Sequence, residues 1–258
     1  MCVLAMAWKS HPHWPLVLAG NRDERHDRPA APVARWDEAP EVLGGRDLEA
    51  GGSWLGVSEA GRLAVVTNLW GFGAARLGAP SRGLLVRDLL TGQGRYATVR
   101  EDELADFSPM NLIRVDGGEA SFLTNQPAPS IRPLEPGVHG LSNGGLDDPW
   151  PKTKRLKAAL EAWLETADAR ADALFRALAD RTRPPDEELP STGLGLERER
   201  LVSPVFISGE VYGTRCSTVV TVDAAGQGLI QERRFGRDGE PAGETALTFI
   251  WATGGLCQ

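Results

Sequence analysis

The chain has 258 residues, of which 41% are hydrophobic and 24% are charged, and its formal net charge is −7. This composition is typical of a globular protein with a substantial core, but the length alone does not decide between one domain and two. Because the balance is acidic and no basic block interrupts it, we expect no nucleic-acid partner. No apolar stretch approaches the ~20 residues that a transmembrane helix needs, so we also expect no membrane span.

The cysteines are sparse. Cys2, Cys216 and Cys257 are too few and too far apart to form a disulfide framework, and free thiols are typical of a reducing compartment. The apolar start, residues 3–8, is too short for a signal-peptide core and lacks a basic leader. We therefore expect a cytoplasmic protein.

The first elements are two short strands. The apolar runs "CVLAMAW" (residues 2–8) and "PLVLAGN" (residues 15–21) flank a turn that contains proline. Residues 22–52 are rich in proline, glycine and charge, and we expect them to be irregular.

A hairpin and two helices are predicted next. "SWLGVS" (53–58) and "RLAVVTNLW" (62–70) read as strands around a turn at Gly61. A glycine-rich loop over residues 71–83 leads into a helical pattern that begins at Leu84, and a short helix is expected over residues 99–107.

The second half of the chain combines hairpins with amphipathic helices. "MNLIRV" and "EASFLTN" flank the turn residues Asp116 and Gly117 and predict a hairpin. Apolar residues at helical spacing predict helices over 156–164 and 171–178, followed by a proline-rich linker over 183–190. Alternation then returns in three segments with turns near Gly226 and Gly239, namely "STVVTVD", "GLIQERRF" and "ETALTFIW".

This order of strands, helices and strands again predicts an α+β protein. Hairpin connections dominate, so the sheets should be antiparallel. The two amphipathic helices carry charge on one face and apolar residues on the other, so each should cover a sheet.

Cys2 is the first candidate for a chemical role. Initiator methionine is normally removed before a small second residue, and removal of Met1 would place a free α-amine beside the Cys2 thiol. Such an amine has a reference pKa of ~7.7–8.0 and can act as a base toward its own nucleophile. The alternative is that Cys2 is a small apolar residue at the start of a buried strand.

A charged cluster, "NRDERHDR" (residues 21–28), follows the second predicted strand. Loops at strand ends often carry reactive groups, so Asn21, Arg22, Asp23 and Glu24 are candidates for supporting a site. Glu24 could pair with an ammonium group, and an arginine could hold a carboxylate through two hydrogen bonds. The alternative is a solvated loop whose charges neutralise one another.

Two asparagines and an arginine stand at the ends of apolar segments. Asn68 ends "VVTN" and Asn143 lies in "GLSNGG", and an amide N–H can donate to a developing oxyanion. For Asn143, ordinary turn chemistry before glycine is the simpler explanation. Arg215, in "YGTRCS", could lower the pKa of a nearby thiol or hold a carboxylate, and the alternative is a surface arginine.

Six stretches occur in order along the chain: "MC", "AGNRDERHDRP", "GGSWLG", "LAVVTN", "HGLSNG" with "PW" following, and "YGTR" before "STVV". Together they resemble the NRDE family, also called the transport and Golgi organisation family. They extend from Met1 to about Ile250, so the resemblance implies a single domain over residues 1–258. The family is similar in organisation to the cysteine N-terminal nucleophile hydrolases, which include bile-salt hydrolases and penicillin acylases. That similarity implies a four-layer αββα sandwich of antiparallel sheets.

The resemblance also implies site residues by position. Cys2 would be the nucleophile and Asn143 an oxyanion donor. Asn68 would be a second polar group at the acyl site, and Arg215 would place a guanidinium near the thiol. On the second strand these hydrolases place an arginine and an aspartate, whereas this chain has the different order NRDE over residues 21–24.

Three functions are open at this point, and the third of them is an interaction protein that binds no small ligand. The first is hydrolysis or transfer of an acyl group from a small-molecule amide through Cys2, with no required cofactor and no metal. The second is non-catalytic carriage of haem or of an acyl-coenzyme-A-like lipid, because the family is linked to haem movement and lipid homeostasis. His26, His139, Cys2 and Met6 are nominally able to ligate haem iron. The chain's histidines are too scattered for a recognisable zinc spacing.

Overall fold

The computed structural model describes residues 2–73, 76–166 and 170–251. These ranges hold thirteen strands, which are β1 (Cys2–Trp8), β2 (Leu16–Arg25), β3 (Ala30–Trp36), β4 (Ala39–Asp47), β5 (Leu55–Ser58), β6 (Arg62–Asn68), β7 (Met110–Asp116), β8 (Glu119–Thr124), β9 (Ser130–Pro133), β10 (Gly137–Leu141), β11 (Tyr212–Val222), β12 (Gln227–Phe235) and β13 (Pro241–Ile250). The α-helices in the same ranges are α1 (Arg82–Thr91), α2 (Pro151–Leu164), α3 (Asp172–Leu178) and α4 (Leu196–Val202).

The strands form two sheets in which every neighbouring pair is antiparallel. The six-stranded sheet has the order β10-β1-β2-β11-β12-β13, and the seven-stranded sheet runs in chain order from β3 to β9. The first and last thirds of the chain thus share one sheet, and β2 lies near its centre between β1 and β11.

Side-chain alternation sorts the apolar residues into layers. In β1 and β2, residues such as Leu4 and Leu18 pack in a core between the two sheets, whereas Val3 and Val17 face α2 and α3. On the far side of the seven-stranded sheet, Leu85 and other residues of α1 form a third apolar cluster. The predicted α+β fold, a four-layer αββα sandwich of antiparallel sheets, is confirmed.

Most of residues 22–52 belong to strands, so the prediction that this stretch is irregular was wrong. β2 continues through the charged cluster to Arg25, and β3 and β4 pair with each other from Ala30 opposite Asp47. Composition misled here because several charged side chains of this stretch find partners inside the fold. Arg22 and Asp47, described below, are the main examples.

Other departures from prediction concern short elements. The helix predicted over 99–107 is a single 3-10 turn, Asp102–Asp106, and the chain then meets Pro109, which disfavours helix in the residue before it. β9, β10 and α4 are too short to leave a clear periodic pattern, and they were not predicted. The predicted hairpins, α2, α3 and the three C-terminal strands are confirmed. Gly226 and Gly239 both have a φ of 79°, as their turns require.

Two further observations concern the predicted absence of a membrane span and the state of the cysteines. Within the described ranges, no helix combines the length and the apolarity needed to cross a bilayer. Cys2 and Cys216 are free thiols, and Cys257 lies outside the described residues.

The layered core makes a prediction about stability. Leu18→Ala should lower the free energy of unfolding by about 2–5 kcal/mol, because Leu18 is fully buried between the sheets and truncation leaves a cavity. Urea unfolding followed by tryptophan fluorescence measures the change. Leu77→Ala is the matched control, since Leu77 is fully exposed, and its effect should stay within about 0.5 kcal/mol. Equal unfolding midpoints for the two variants would contradict the described core.

Candidate active site

The charged end of β2 lies inside the six-stranded sheet. Arg22 stands opposite Cys2 of β1 on one side and opposite Cys216 of β11 on the other. The chain start and the charged cluster are therefore brought together by strand pairing, and both belong to strands rather than to a solvated loop.

A cleft of about 340 Å³ opens at this end of the sheet and extends to the start of α1. Its charged lining consists of Arg22, Asp23, Glu24, Arg28, Asp47, Arg76 and Arg82. Cys2, Trp54, Asn68 and three serines contribute to the neutral lining. Five of the predicted site residues thus line one cleft, namely Cys2, Arg22, Asp23, Glu24 and Asn68.

Two close backbone approaches shape the wall of the cleft. The Trp54 indole lies across Gly45, where a Cβ would come within 2.3 Å of the ring. Gly52 has a φ of +79° and approaches α1 so closely that a Cβ would lie 2.0 Å from the Gly83 carbonyl oxygen. The sequence "GGSWLG" therefore holds the indole and the first turn of α1 in place.

Arg22 is buried, and its guanidinium is held by an aromatic ring and a carboxylate. It lies 4.2 Å from the centre of the Trp54 ring and 3.5 Å from Asp47 Oδ2. Asp47 also accepts a 2.8 Å hydrogen bond from Arg28, which in turn lies 3.8 Å from Glu24. Burial raises the pKa of Asp47, but the bond from Arg28, a backbone hydrogen bond from Ala50 and the charges of Arg28 and Arg22 together outweigh it, so the pKa lies below its ordinary value. Asp47 was missed because it falls in the stretch predicted to be irregular.

The Cys2 thiol is half-buried in the cleft. Burial raises its pKa above the ordinary value, and the negative charge of Asp23 adds to the increase. A backbone hydrogen bond from Asp23 and the charge of Arg22 act in the opposite direction. At neutral pH the resting sulfur is therefore a protonated thiol, so its use as a nucleophile requires a base that takes the proton.

Two buried ionisable groups lie near this thiol. Burial raises the pKa of Asp23 to about 6, while the charge of Lys152 and a 2.7 Å hydrogen bond from Thr214 Oγ1 favour the carboxylate. Burial lowers the pKa of Lys152 to about 8, against the charges of Asp23 and Cys2. Sequence analysis missed Lys152. The available signal was a cation in the first turn of α2, where the helix macrodipole disfavours positive charge.

The two predicted oxyanion asparagines differ in placement. Asn143 is fully buried, and its amide donates a 2.7 Å hydrogen bond to the Asn68 carbonyl. The neighbouring Ser142 hydroxyl donates to the Cys2 carbonyl at 2.8 Å. Asn143 thus connects the segment after β10 to the end of β6, and it is the Asn68 side chain that lines the cleft.

Asn21 of β2 contacts the helical layer. Its amide donates to the carbonyls of Leu178 and Val205, both at 2.8 Å, and its side-chain oxygen accepts from Ser217. These bonds attach the end of α3 and the segment before β11 to the sheet. Asn21 therefore supports the helical layer and does not contact the cleft.

Arg215 lies at a bulge in β11, between Thr214 and Cys216. Its guanidinium donates to the backbone carbonyls of Arg25 and Arg28 at 2.7 and 3.0 Å. Arg215 is therefore not among the residues that line the cleft. It holds the loop from which Arg28 enters it.

The nominal haem ligands do not converge. Met6 is fully buried in the core between the sheets, and the His139 ring is bonded to Asp147 at 2.9 Å. His26 follows the end of β2, and of the four side chains only Cys2 lines the cleft. Across residues 2–73, 76–166 and 170–251, no group of three or more His, Cys, Asp or Glu residues is arranged to hold a metal ion.

The fold is shared with a known enzyme. The C2A mutant of the conjugated bile acid hydrolase from Clostridium perfringens superposes with a TM-score of 0.51, covering 98% of each chain at 9% sequence identity. At this identity the likeness concerns the fold alone, which is similar to that of the N-terminal nucleophile hydrolases.

Closer relatives are found by sequence. The Transport and Golgi organization 2 homolog of Mus musculus is 30% identical over 256 residues, which cover 90% of this chain and 92% of the mouse protein. The homolog of Bos taurus is 32% identical over 258 residues, with the same coverage of the two chains. The sequence pattern of the family Transport and Golgi organisation 2 matches residues 1–237. The predicted resemblance is confirmed, and the chain belongs to the Transport and Golgi organisation 2 family.

Proposed function

We propose that this protein cleaves or transfers an acyl group from a small-molecule amide, with the Cys2 sulfur as nucleophile. The observation that carries the proposal is a free, half-buried thiol in a cleft lined by four arginines and three carboxylates. A cysteine kept only for packing would lie among apolar groups, whereas ionisable groups gathered in a cleft are typical of catalytic sites. The likeness to a hydrolase adds support by analogy of fold only.

The proposed reaction begins with proton removal from the thiol. After loss of Met1, the α-amine of Cys2 takes the thiol proton as the sulfur attacks the carbonyl carbon. The carbon–nitrogen bond then breaks, and the departing amine receives that proton, leaving a thioester on Cys2. Water adds to the thioester with its proton passing to the α-amine, and the acid leaves as the thiol is restored. An amine acceptor in place of water gives acyl transfer.

Asn68 is the side chain proposed to stabilise the oxyanion. An amide N–H can donate to the negative oxygen of the tetrahedral intermediate without carrying charge itself. The Asn68 side chain lines the same cleft as Cys2, and its carbonyl is fixed by the buried Asn143 amide at 2.7 Å. In this assignment Asn143 is a positioning residue, because it acts through the backbone of Asn68.

Asp23 supports a chemical role because its burial costs stability. Its pKa of about 6 means that the folded protein holds a desolvated carboxylate at neutral pH. An asparagine oxygen could accept the Thr214 hydrogen bond without this cost, so packing alone does not account for an acid at this position. We assign the carboxylate the role of orienting the Cys2 α-amine beside the thiol.

Carriage of haem has less support from the cleft. A haem slot is apolar, whereas seven charged side chains line this cleft, and Met6 and His139 lie away from it. An acyl-coenzyme-A-like ligand agrees better with the charged lining, and it is also an acyl donor, so it remains compatible with the proposed chemistry.

The nucleophile is tested by acylation. Incubation with p-nitrophenyl acetate should give one acetyl adduct per chain on wild type, and Cys2→Ala should give none, because the alanine has no sulfur to acylate. Intact mass spectrometry measures both the adduct and the loss of Met1. Cys216→Ser is the matched control, since Cys216 is buried beside Arg22 and does not line the cleft. An undiminished adduct on Cys2→Ala, or acylation of a chain that retains Met1, would contradict the mechanism.

The oxyanion assignment predicts a rate effect. Asn68→Ala should slow acylation of Cys2 by about 10²-fold, because removal of one oxyanion donor commonly costs 10²–10³ in rate. Release of p-nitrophenol measures the rate. Asn111→Ala is the comparison variant: Asn111 is a buried asparagine of β7 that donates to the Gly144 carbonyl and does not line the cleft. Equal rates in the two variants would remove Asn68 from the assignment.

Asp23 predicts a pH dependence of stability. Its pKa is raised from 3.8 to about 6 in the folded state, so the folded protein holds the proton more tightly than the unfolded chain. The contribution of protonated Asp23 to the free energy of unfolding is fully present below about pH 4 and is lost as the pH rises through about 6. The free energy of unfolding falls by about 3 kcal/mol over this range. Urea unfolding at pH 4 to 7 should show this decline in wild type relative to Asp23→Asn.

The matched control for this test is Asp27→Asn, which removes an exposed carboxyl from the adjoining loop. It should keep the wild-type change of stability between pH 4 and 7. If Asp23→Asn and wild type follow parallel curves over this range, the buried, proton-holding state of Asp23 is refuted.

A further inference from the structure

The wall of the cleft at the start of α1 carries two arginines that have no carboxylate partner. Arg82 is half-buried, and its guanidinium donates to the Pro109 carbonyl at 3.0 Å. Arg76 lies at the exposed rim and donates to the Asp106 carbonyl at 2.8 Å. Among the residues that the structure describes, no carboxylate oxygen lies within 4.0 Å of either guanidinium.

The acids of the cleft are already engaged with other groups. Asp47 is bound to Arg28 and Arg22, and Glu24 lies 3.8 Å from Arg28. Asp23 accepts the hydrogen bond from Thr214. The positive charge of the α1 wall is therefore left without a counterpart in contact with it.

Helix physics makes this charge more unusual. Arg82 is the first residue of α1, a ten-residue helix that begins at the N-cap Ser81 and has no acid in its first turn. A helix N-terminus is the positive end of the macrodipole, where a cation is unfavourable and an anion is stabilised. Burial also lowers the pKa of Arg82, while the nearby charge of Cys2 opposes that effect. Arg82 thus places a positive charge where the helix disfavours one, and it does so in a cleft. Departures of this kind from local preference are expected at functional sites.

We propose that Arg82, with Arg76 at the rim, binds an anionic oxyacid group of the substrate, a carboxylate or a phosphate, while the acyl carbonyl of that substrate lies at Cys2. This inference rests on the proposed function, because it names the substrate class of the same cleft. Guanidinium forks match the oxygen geometry of carboxylate and phosphate, so the two arginines can bind either group through paired hydrogen bonds. Substrates are therefore acyl compounds with an acidic group, and neutral amides of the same acyl group are poorer substrates.

Two alkylating probes of similar size test the charge preference. Iodoacetate is an anion and iodoacetamide is neutral, and both modify thiols. The ratio of their second-order rate constants at Cys2, measured by peptide mass spectrometry, reports the attraction of an anion to the cleft. Arg82→Gln should lower this ratio roughly threefold or more, because it removes one unit of positive charge near the thiol. Arg76→Gln should lower it less, and Arg82→Lys should keep most of it.

Arg132→Gln is the matched control. It removes the same charge from β9, at the edge of the seven-stranded sheet, where Arg132 stacks on Phe122 and does not line the cleft. The ratio should equal the wild-type value in this variant. The comparison separates a local effect of Arg82 from a change in the net charge of the protein.

A second measurement does not depend on the reactivity of Cys2. Inorganic phosphate and acetate, each compared with chloride at equal ionic strength, should raise the thermal unfolding midpoint of wild type more than that of Arg82→Gln. A larger effect of phosphate assigns a phosphate group to the substrate, and a larger effect of acetate assigns a carboxylate. Arg132→Gln should respond as wild type does.

The outcomes separate this inference from the proposed function. If neither the rate ratio nor the anion-dependent midpoint differs between Arg82→Gln and Arg132→Gln, the anion site is refuted, whatever the reactivity of Cys2. If neither probe modifies Cys2 but phosphate or acetate stabilises wild type and not Arg82→Gln, the anion site stands and the acyl chemistry fails.

Discussion

The candidate site depends on one constraint, which is that β2 keeps its charged residues while paired on both sides. Arg22 and Asp23 are buried on this strand, so each of these two charges needs a partner within the fold. Trp54 and Asp47 supply partners for Arg22, and Thr214 supplies one for Asp23. The seven-stranded sheet and the cleft wall are therefore held against the end of β2 by polar contacts, in addition to the apolar core between the sheets.

The same constraint explains the chemistry available to Cys2. Pairing with β2 places the thiol opposite Arg22 and close to the Asp23 carboxylate, in surroundings that raise its pKa. The Cys2 sulfur is a protonated thiol in these surroundings, so its reactivity as a nucleophile depends on a neighbouring base that accepts the proton. Packing of α2 adds the buried Lys152, whose pKa is lowered to about 8, so that Lys152 and Asp23 both have pKa values within about one unit of neutrality.

Much of the fold was predictable from local pattern, but the composition of the cleft was less so. The apolar run "CVLAMAW" and the helical spacing around Leu160 gave correct elements, because the strand is buried on both faces and the helix packs one face against an apolar layer. The charged stretch from 22 to 52 was mispredicted, because a rule that assigns charge and proline to loops cannot foresee contacts such as Arg22 with Trp54. Asn68 and Asn143 both end apolar segments, and the sequence does not distinguish Asn68, which lines the cleft, from Asn143, which is buried against the Asn68 carbonyl. Lys152 and Asp47 reach the site only through tertiary packing.

The extra residue in β11 gives the cleft a mechanical link to the sheet. Because Arg215 is inserted between Thr214 and Cys216, it is released from the ladder and can reach the carbonyls of Arg25 and Arg28. The loop that carries Arg28 leads from β2 of one sheet to β3 of the other, and Arg215 ties it to β11, the strand that pairs with β2. Loop and strand should shift as one body, so that a displacement of β11 is transmitted directly to Arg28 in the cleft lining.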